Sequence, residues 1–262
     1  MGEGNFGLDF GGGSKFGVEE DKIIEAYRKA QRAGVERFGI HMMTGSGILS
    51  PGYFGDVTEK LGRISEQITE ELGIEFEFVD VGGGLGVPYR PDQTPIDVEK
   101  AAENIVNNLE SFDIGDPTIM MEPGRYLVAE SGTLVTRVQD TLEKSDKTYL
   151  GLNSGMHHFL RPMLYDAYHE IEAVEKRSEK FEVDIVGLVC ENTDKFAEDR
   201  NISKVKSGDS VAIRDVGAYG FAMASNWNTR PMPYELMIEE GKVSVIRENQ
   251  KWSDVFHGTS FE

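Results

Sequence analysis

The stretch Phe76–Gly86, FEFVDVGGGLG, decides how this chain is read. It predicts a short buried strand over Glu75–Val81 that runs directly into Gly82, Gly83 and Gly84. Glycines at the C-terminal end of a strand leave bare backbone N–H groups there. Their freedom to adopt φ > 0 lets an anion or another backbone come close. A phosphate-binding turn is built that way, and so is a plain tight turn into the next helix. What neighbouring segments deliver to the same place separates the two.

Upstream, Val18–Gly34 reads as an amphipathic helix with Ile23, Ile24, Tyr27 and Ala30 on one face. Arg37–Met42 reads as a strand ending in Thr44-Gly45-Ser46-Gly47. A long helix over Tyr53–Leu72 follows, with Phe54, Val57, Leu61, Ile64, Ile68 and Leu72 recurring at steps of three and four. Downstream, a helix over Val98–Leu109 leads to a strand over Thr118–Glu122 that ends in Pro123-Gly124-Arg125. Strands recur about every 40 residues with helices between them, the rhythm of parallel strands joined by crossovers. Barrels and open sheets of this kind bind ligands at the strand C-termini. Three such ends rich in glycine and polar residues predict one shared ligand site.

After Arg125 the rhythm changes. Tyr126–Asp140, Lys147–Leu152, Glu182–Leu188, Ser210–Asp215 and Val243–Arg247 read as short strands separated by turns such as Ser207-Gly208-Asp209. The expected organisation is therefore α/β followed by all-β, with the boundary near Tyr126–Gly132: residues 1–126, then 127–262. Gly2–Gly17 reads as a glycine-rich loop.

Of 262 residues, 39% are hydrophobic and 28% charged, an ordinary globular composition. The net charge of -19 argues against nucleic-acid partners, whose phosphates it repels. Cys190 is the only cysteine, so no intrachain disulfide and no cysteine-based metal site is expected. There is no apolar run of the ~20 residues a membrane helix needs and no signal peptide at Met1. The expectation is a soluble, cytoplasmic protein with no metal and no membrane partner.

The chain resembles the fold type III, alanine-racemase-like family of pyridoxal-phosphate-dependent decarboxylases. The resemblance is carried by SKFG at Ser14–Gly17, TGSG at Thr44–Gly47, VGGGLGVPY at Val81–Tyr89 and EPGR at Glu122–Arg125. It continues through RPMLYDAYHEI at Arg161–Ile171, CEN at Cys190–Asn192 and RDVGAYGFAMASNWNTRP at Arg214–Pro231. It implies a partial (β/α) barrel of the alanine-racemase type followed by a C-terminal β-domain, with pyridoxal 5′-phosphate as cofactor. Ser46, Gly82, Gly83 and Gly84 would hold the cofactor phosphate, joined by the backbone at Gly124 and Arg125 and the hydroxyl of Tyr219. Glu122 would face the pyridine nitrogen and favour its protonated form.

The same resemblance places Arg125, Arg161 and Tyr165 at the distal end of the substrate, where a guanidinium suits a carboxylate. Tyr219 would also contact substrate. Cys190 would supply a proton, and Glu191 would recognise a distal ammonium. The implied reaction is decarboxylation of a basic amino acid. Glu191 together with Arg161 and Tyr165 favours meso-diaminopimelate, giving L-lysine and CO₂, over ornithine or arginine. A homodimer with shared active sites is implied, in which Cys190, Glu191 and Tyr219 reach the neighbour's cofactor. His157 and His158 read as loop histidines with no assigned role.

Two departures stand out. Met43 occupies the position of the histidine that stacks on the cofactor ring in the family, and His41, two residues earlier, is the candidate to compensate. A full barrel takes about 250 residues, yet about 125 precede the β-domain, and the family's Schiff-base lysine motif has no match; Lys15 does not replace it. The expectation is a fragment, or a reduced protein that binds cofactor or phosphate without catalysis unless a partner chain completes it. A decarboxylase for another basic amino acid is the remaining alternative.

Overall fold

The computed structural model describes residues 16–260, and the chain divides after Leu127 into two units. The Ser14–Lys15 part of the SKFG motif, and most of the Gly2–Gly17 loop, lie outside the described residues.

In the first unit, α1 (Ile23–Arg32), α2 (Pro51–Leu72) and α3 (Val98–Leu109) alternate with β1 (Phe38–His41), β2 (Phe76–Asp80) and β3 (Thr118–Met120). Local chemistry sets the helix ends. Pro51 opens α2 with its φ already helical, Gly73 closes it in the left-handed conformation, and the Asp97 side chain caps α3 by accepting from Lys100 N–H at 2.9 Å. The apolar face of α2 is buried at Phe54, Val57, Leu61 and Ile68, and packs over Phe76, Val79 and Val81 of the sheet segment. Burial of such side chains stabilises by about 1.5–3 kcal/mol each.

The strands form a parallel sheet in the order β1-β2-β3, with His41 opposite Asp80 and Asp80 opposite Met120. The ladder continues beyond the strand ends. Met42 N–H donates to Asp80 C=O at 3.1 Å, Val81 N–H to Met120 C=O at 3.0 Å, and Glu122 N–H to Gly82 C=O at 2.9 Å. The three C-terminal ends are therefore one fixed surface.

In the second unit a mixed six-stranded sheet runs β6 (Ile171–Ala173), β9 (Ser210–Arg214), β4 (Thr133–Glu143), β5 (Thr148–Leu152), β7 (Lys180–Val186), β8 (Lys195–Ser203). Its pairs are antiparallel except β5 with β7. A separate hairpin joins β10 (Glu235–Glu239) to β11 (Lys242–Arg247). Leu150, Leu152, Ile171, Ile185 and Ile213 form the core under the six-stranded sheet.

Two details differ from the sequence reading. Residues 126–131 are helical rather than extended: α4 (Gly124–Val128) and a 3₁₀ turn over Ala129–Ser131 follow Pro123, whose C=O accepts from Leu127 N–H. The strands β6, β8 and β10 were not anticipated. β8 is an edge strand whose charged residues, suited to an unpaired edge, mask its alternation. Among the described residues no helix is long and apolar enough to cross a membrane.

Candidate functional site

At the joined strand ends of the first unit, Ser46, Tyr89, Glu122 and Arg125 converge from different segments. Arg125 Nη2 donates to Ser46 Oγ at 3.1 Å and Nη1 to Tyr89 Oη at 2.8 Å. A guanidinium so held beside a serine hydroxyl is a set of donors suited to a phosphate. The glycine turn fits closely beneath. A Cβ on Gly83 would lie 2.6 Å from Glu122 C=O, and Gly82 has φ +72° with no space for a Cβ against Met42 C=O at 2.7 Å.

The turn's donors are partly engaged. Gly82 N–H donates to Asp80 Oδ1 at 2.9 Å, and Gly83 N–H points to Met43 Sδ at 3.2 Å. A thioether is a weak acceptor that a phosphate oxygen displaces at little cost. Gly82 instead contributes its backbone conformation, with its N–H turned to the carboxylate.

Opposite this cationic side stands an acidic one. His41, Asp80 and Glu122 offer ligand atoms within 4.8 Å of one another, at the ends of β1 and β2 and just past β3. His41 Nε2 lies 3.6 Å from Glu122 Oε2, and both side chains are about half exposed. Such a grouping attracts a ring N–H⁺ as readily as a metal ion. Met43, half exposed, lies on the glycine turn.

Arg161, Tyr165, Cys190, Glu191 and Tyr219 all belong to the second unit. Arg161 and Tyr165 begin and end the short helix α5 (Arg161–Tyr165). Arg161 is fully buried, with Nη1 2.9 Å from His169 Nε2, while Tyr165 is 42% exposed. Arginine only donates, so His169 accepts at Nε2 and donates from Nδ1 to Arg214 C=O at 2.8 Å. Cys190 is exposed on the loop between β7 and β8, where Asn228 Nδ2 approaches its Sγ at 3.7 Å. Tyr219 is held at φ +58°, a left-handed conformation rare for a tyrosine, which turns its partly exposed side chain outward.

Sequence reasoning assigned nothing to His169, Asn228, Asp80 or Tyr89, although each lies inside or beside a quoted motif. Only their side-chain partners distinguish them. His157 is buried, its ring centroid 3.8 Å from that of His158. Burial, with the charges of His158 and Arg230, pushes the His157 imidazole down to about 4.

Residues 42–217 match the family model for the pyridoxal-dependent decarboxylase, C-terminal sheet domain. The diaminopimelate decarboxylase of Methanothermobacter thermautotrophicus is 42% identical over 253 residues, covering 94% of this chain and 58% of the relative. That of Thermoplasma acidophilum is 37% identical over 257 residues, covering 97% of this chain and 62% of the relative. The crystal structure of diaminopimelate decarboxylase from M. jannaschii in co-complex with L-lysine superposes with a TM-score of 0.90 at 34% identity, covering 95% of this chain and 58% of that one. The chain thus spans 58–62% of the length of these relatives. The fold is a partial (β/α) barrel of the alanine-racemase type followed by a C-terminal β-domain, as the sequence implied.

Proposed function

The chain belongs to the pyridoxal-dependent decarboxylase family, and from that premise we propose that it serves the decarboxylation of meso-diaminopimelate to L-lysine and CO₂ with pyridoxal 5′-phosphate. The observation that carries this reading is the convergence of Arg125 on Ser46 above the glycine turn, with Glu122 on the same strand-end surface. The donors suit a phosphate, and the carboxylate suits a protonated ring nitrogen.

Ser46, Gly83, Gly84, Gly124 and Arg125 hold the phosphate, Gly82 shapes the turn that presents them, and the Tyr219 hydroxyl of the neighbouring protomer is a further donor. Glu122 keeps the pyridine nitrogen protonated, and His41 steadies that carboxylate. When bound, the cofactor supplies an electron sink for the pair left on the α-carbon as the bond to the carboxylate breaks. Cys190 delivers the proton that replaces the departed carboxylate. Arg161 and Tyr165 bind the distal carboxylate, and Glu191 binds the distal ammonium. Arg161 reaches substrate only if its contact with His169 opens, since it is enclosed in this structure.

The working form is a cytoplasmic homodimer in which Cys190, Glu191 and Tyr219 serve the neighbouring protomer's cofactor. Lysine release from meso-diaminopimelate is the test, with ornithine and arginine as competing substrates. It is run on the chain alone and with the uncovered portion of a relative added. Release with meso-diaminopimelate only, lost in Cys190→Ala, supports the reading. Equal turnover of ornithine overturns the substrate assignment, and no release in either arrangement overturns the decarboxylase.

A further inference from the structure

The loop between β7 and β8 carries Cys190 and Glu191, and it is gathered around one enclosed carboxylate. Asp194 is 2% exposed. Its Oδ2 accepts from Val189 N–H at 2.9 Å and its Oδ1 from Met156 N–H at 2.7 Å. Its backbone closes the loop as well. The Asp194 C=O accepts from Gly187 N–H at 2.8 Å, and its N–H donates to Glu191 C=O at 3.0 Å. Two glycines make room for the side chain. A Cβ on Gly155 would lie 2.6 Å from Asp194 Oδ2, and one on Gly187 would overlap the carboxylate.

An enclosed carboxylate is tolerated where backbone donors satisfy it. Here the two donors come from segments far apart in sequence, the Met156 turn and the residue immediately before Cys190. The side chain therefore staples one to the other. Burial pushes the Asp194 carboxyl up, and the two N–H groups pull it back.

We propose that Asp194 is a positioning residue whose carboxylate fixes the Val189–Cys190–Glu191 segment against the Met156 turn, so that the thiol and the Glu191 carboxylate are presented in one geometry. This rests on the reading of Cys190 as proton donor and Glu191 as ammonium ligand. Asn228 Nδ2 also approaches the Cys190 sulfur at 3.7 Å.

The test uses the full chain with Asp194→Asn, which keeps the shape but turns an amide donor toward one of the two N–H groups. Asp209→Asn is the control. Asp209 is another enclosed carboxylate, accepting from Lys206 N–H at 2.9 Å and paired with Arg177, and it lies outside this loop. Amide hydrogen exchange at Val189 and Met156 is expected to accelerate about tenfold or more in Asp194→Asn. Alkylation of Cys190, the only thiol, is expected to change about threefold or more with a shifted pH profile. Asp209→Asn is expected to change neither.

An Asp194→Asn protein with parental near-ultraviolet circular dichroism, parental exchange and parental alkylation overturns the proposal. So does an equal effect in both variants. Should Asp194→Asn fail to fold, Gly155→Ala crowds the same oxygen and carries the same two outcomes. Parental turnover in Cys190→Ser would overturn the functional reading, whereas unchanged exchange overturns the positioning, so the two failures are distinct.

Discussion

Glu122 and His41 face each other at 3.6 Å across the end of β2, with Asp80 between them on the middle strand. Parallel register makes this possible, because His41 pairs with Asp80 and Asp80 with Met120, two residues before Glu122. A carboxylate in this place favours a protonated ring nitrogen, and an amide does not. Glu122→Gln is therefore expected to lower the proposed lysine release from meso-diaminopimelate by about 10²-fold or more, with cofactor affinity reduced far less. Steady-state kinetics beside a cofactor titration check it. Equal losses in both would assign Glu122 to binding alone.

The Gly83 turn tests the close fit beneath the site. A Cβ there meets the Glu122 carbonyl at 2.6 Å, so the backbone of one strand end has to move. Gly83→Ala is expected to cost about 1–3 kcal/mol and to weaken cofactor binding as well. Urea denaturation gives the first quantity and fluorescence titration the second. Parental values for both would show that the turn is slack.

Much of this site was legible in the sequence because the glycine and polar residues directly follow each strand. Ser46, Gly83 and Arg125 needed only the β–α alternation to be placed on one surface. What stayed hidden depends on partners that no spacing records. The Gly82 N–H is turned to Asp80, and the Gly83 N–H to Met43. Arg161 lies beneath His169, eight residues away across a helical turn and a loop. Residues 126–131 read as extended because Tyr126 and Val128 prolong the alternation of the strand that follows, whereas in the fold they continue the helical turn that begins at Gly124.

Buried His157 makes stability depend on pH. Its imidazole is held down at about 4 in the fold against 6.5 for the free group, so the unfolded chain binds the proton first. Stability is full above pH 6.5, falls as pH drops from 6.5 toward 4, and levels off below that. The loss is on the order of 3 kcal/mol. His157→Gln is expected to flatten this part of the profile, measured as unfolding midpoints between pH 7 and 4. An unchanged slope would show that His157 is solvated.

Asp184 is a second pH-sensitive group, of opposite sign. It is 1% exposed and accepts from Lys147 Nζ at 3.1 Å and from Asp199 N–H at 3.0 Å. Burial pushes its carboxyl up, but these hydrogen bonds and the lysine charges prevail and hold it below its ordinary value. Its contribution is present above the ordinary aspartate range and is lost as pH falls through the depressed value. Asp184→Ala is expected to destabilise by about 2–4 kcal/mol at pH 7, with partial relief by salt because Lys147 is partly exposed. Chemical denaturation at two ionic strengths measures both effects. A cost under about 0.5 kcal/mol would mean the pair is replaced by water.

The central claim is that the strand-end surface is built for a phosphate attached to a pyridine ring. Titration of the purified protein with pyridoxal 5′-phosphate and with pyridoxal, for the parent and for Ser46→Ala and Arg125→Ala, tests it most directly. The account predicts saturable binding of the phosphorylated compound, at least about tenfold tighter than pyridoxal, with that preference lost in Arg125→Ala and weakened in Ser46→Ala. Equal affinity for the two compounds, or an undiminished preference in Arg125→Ala, would contradict it.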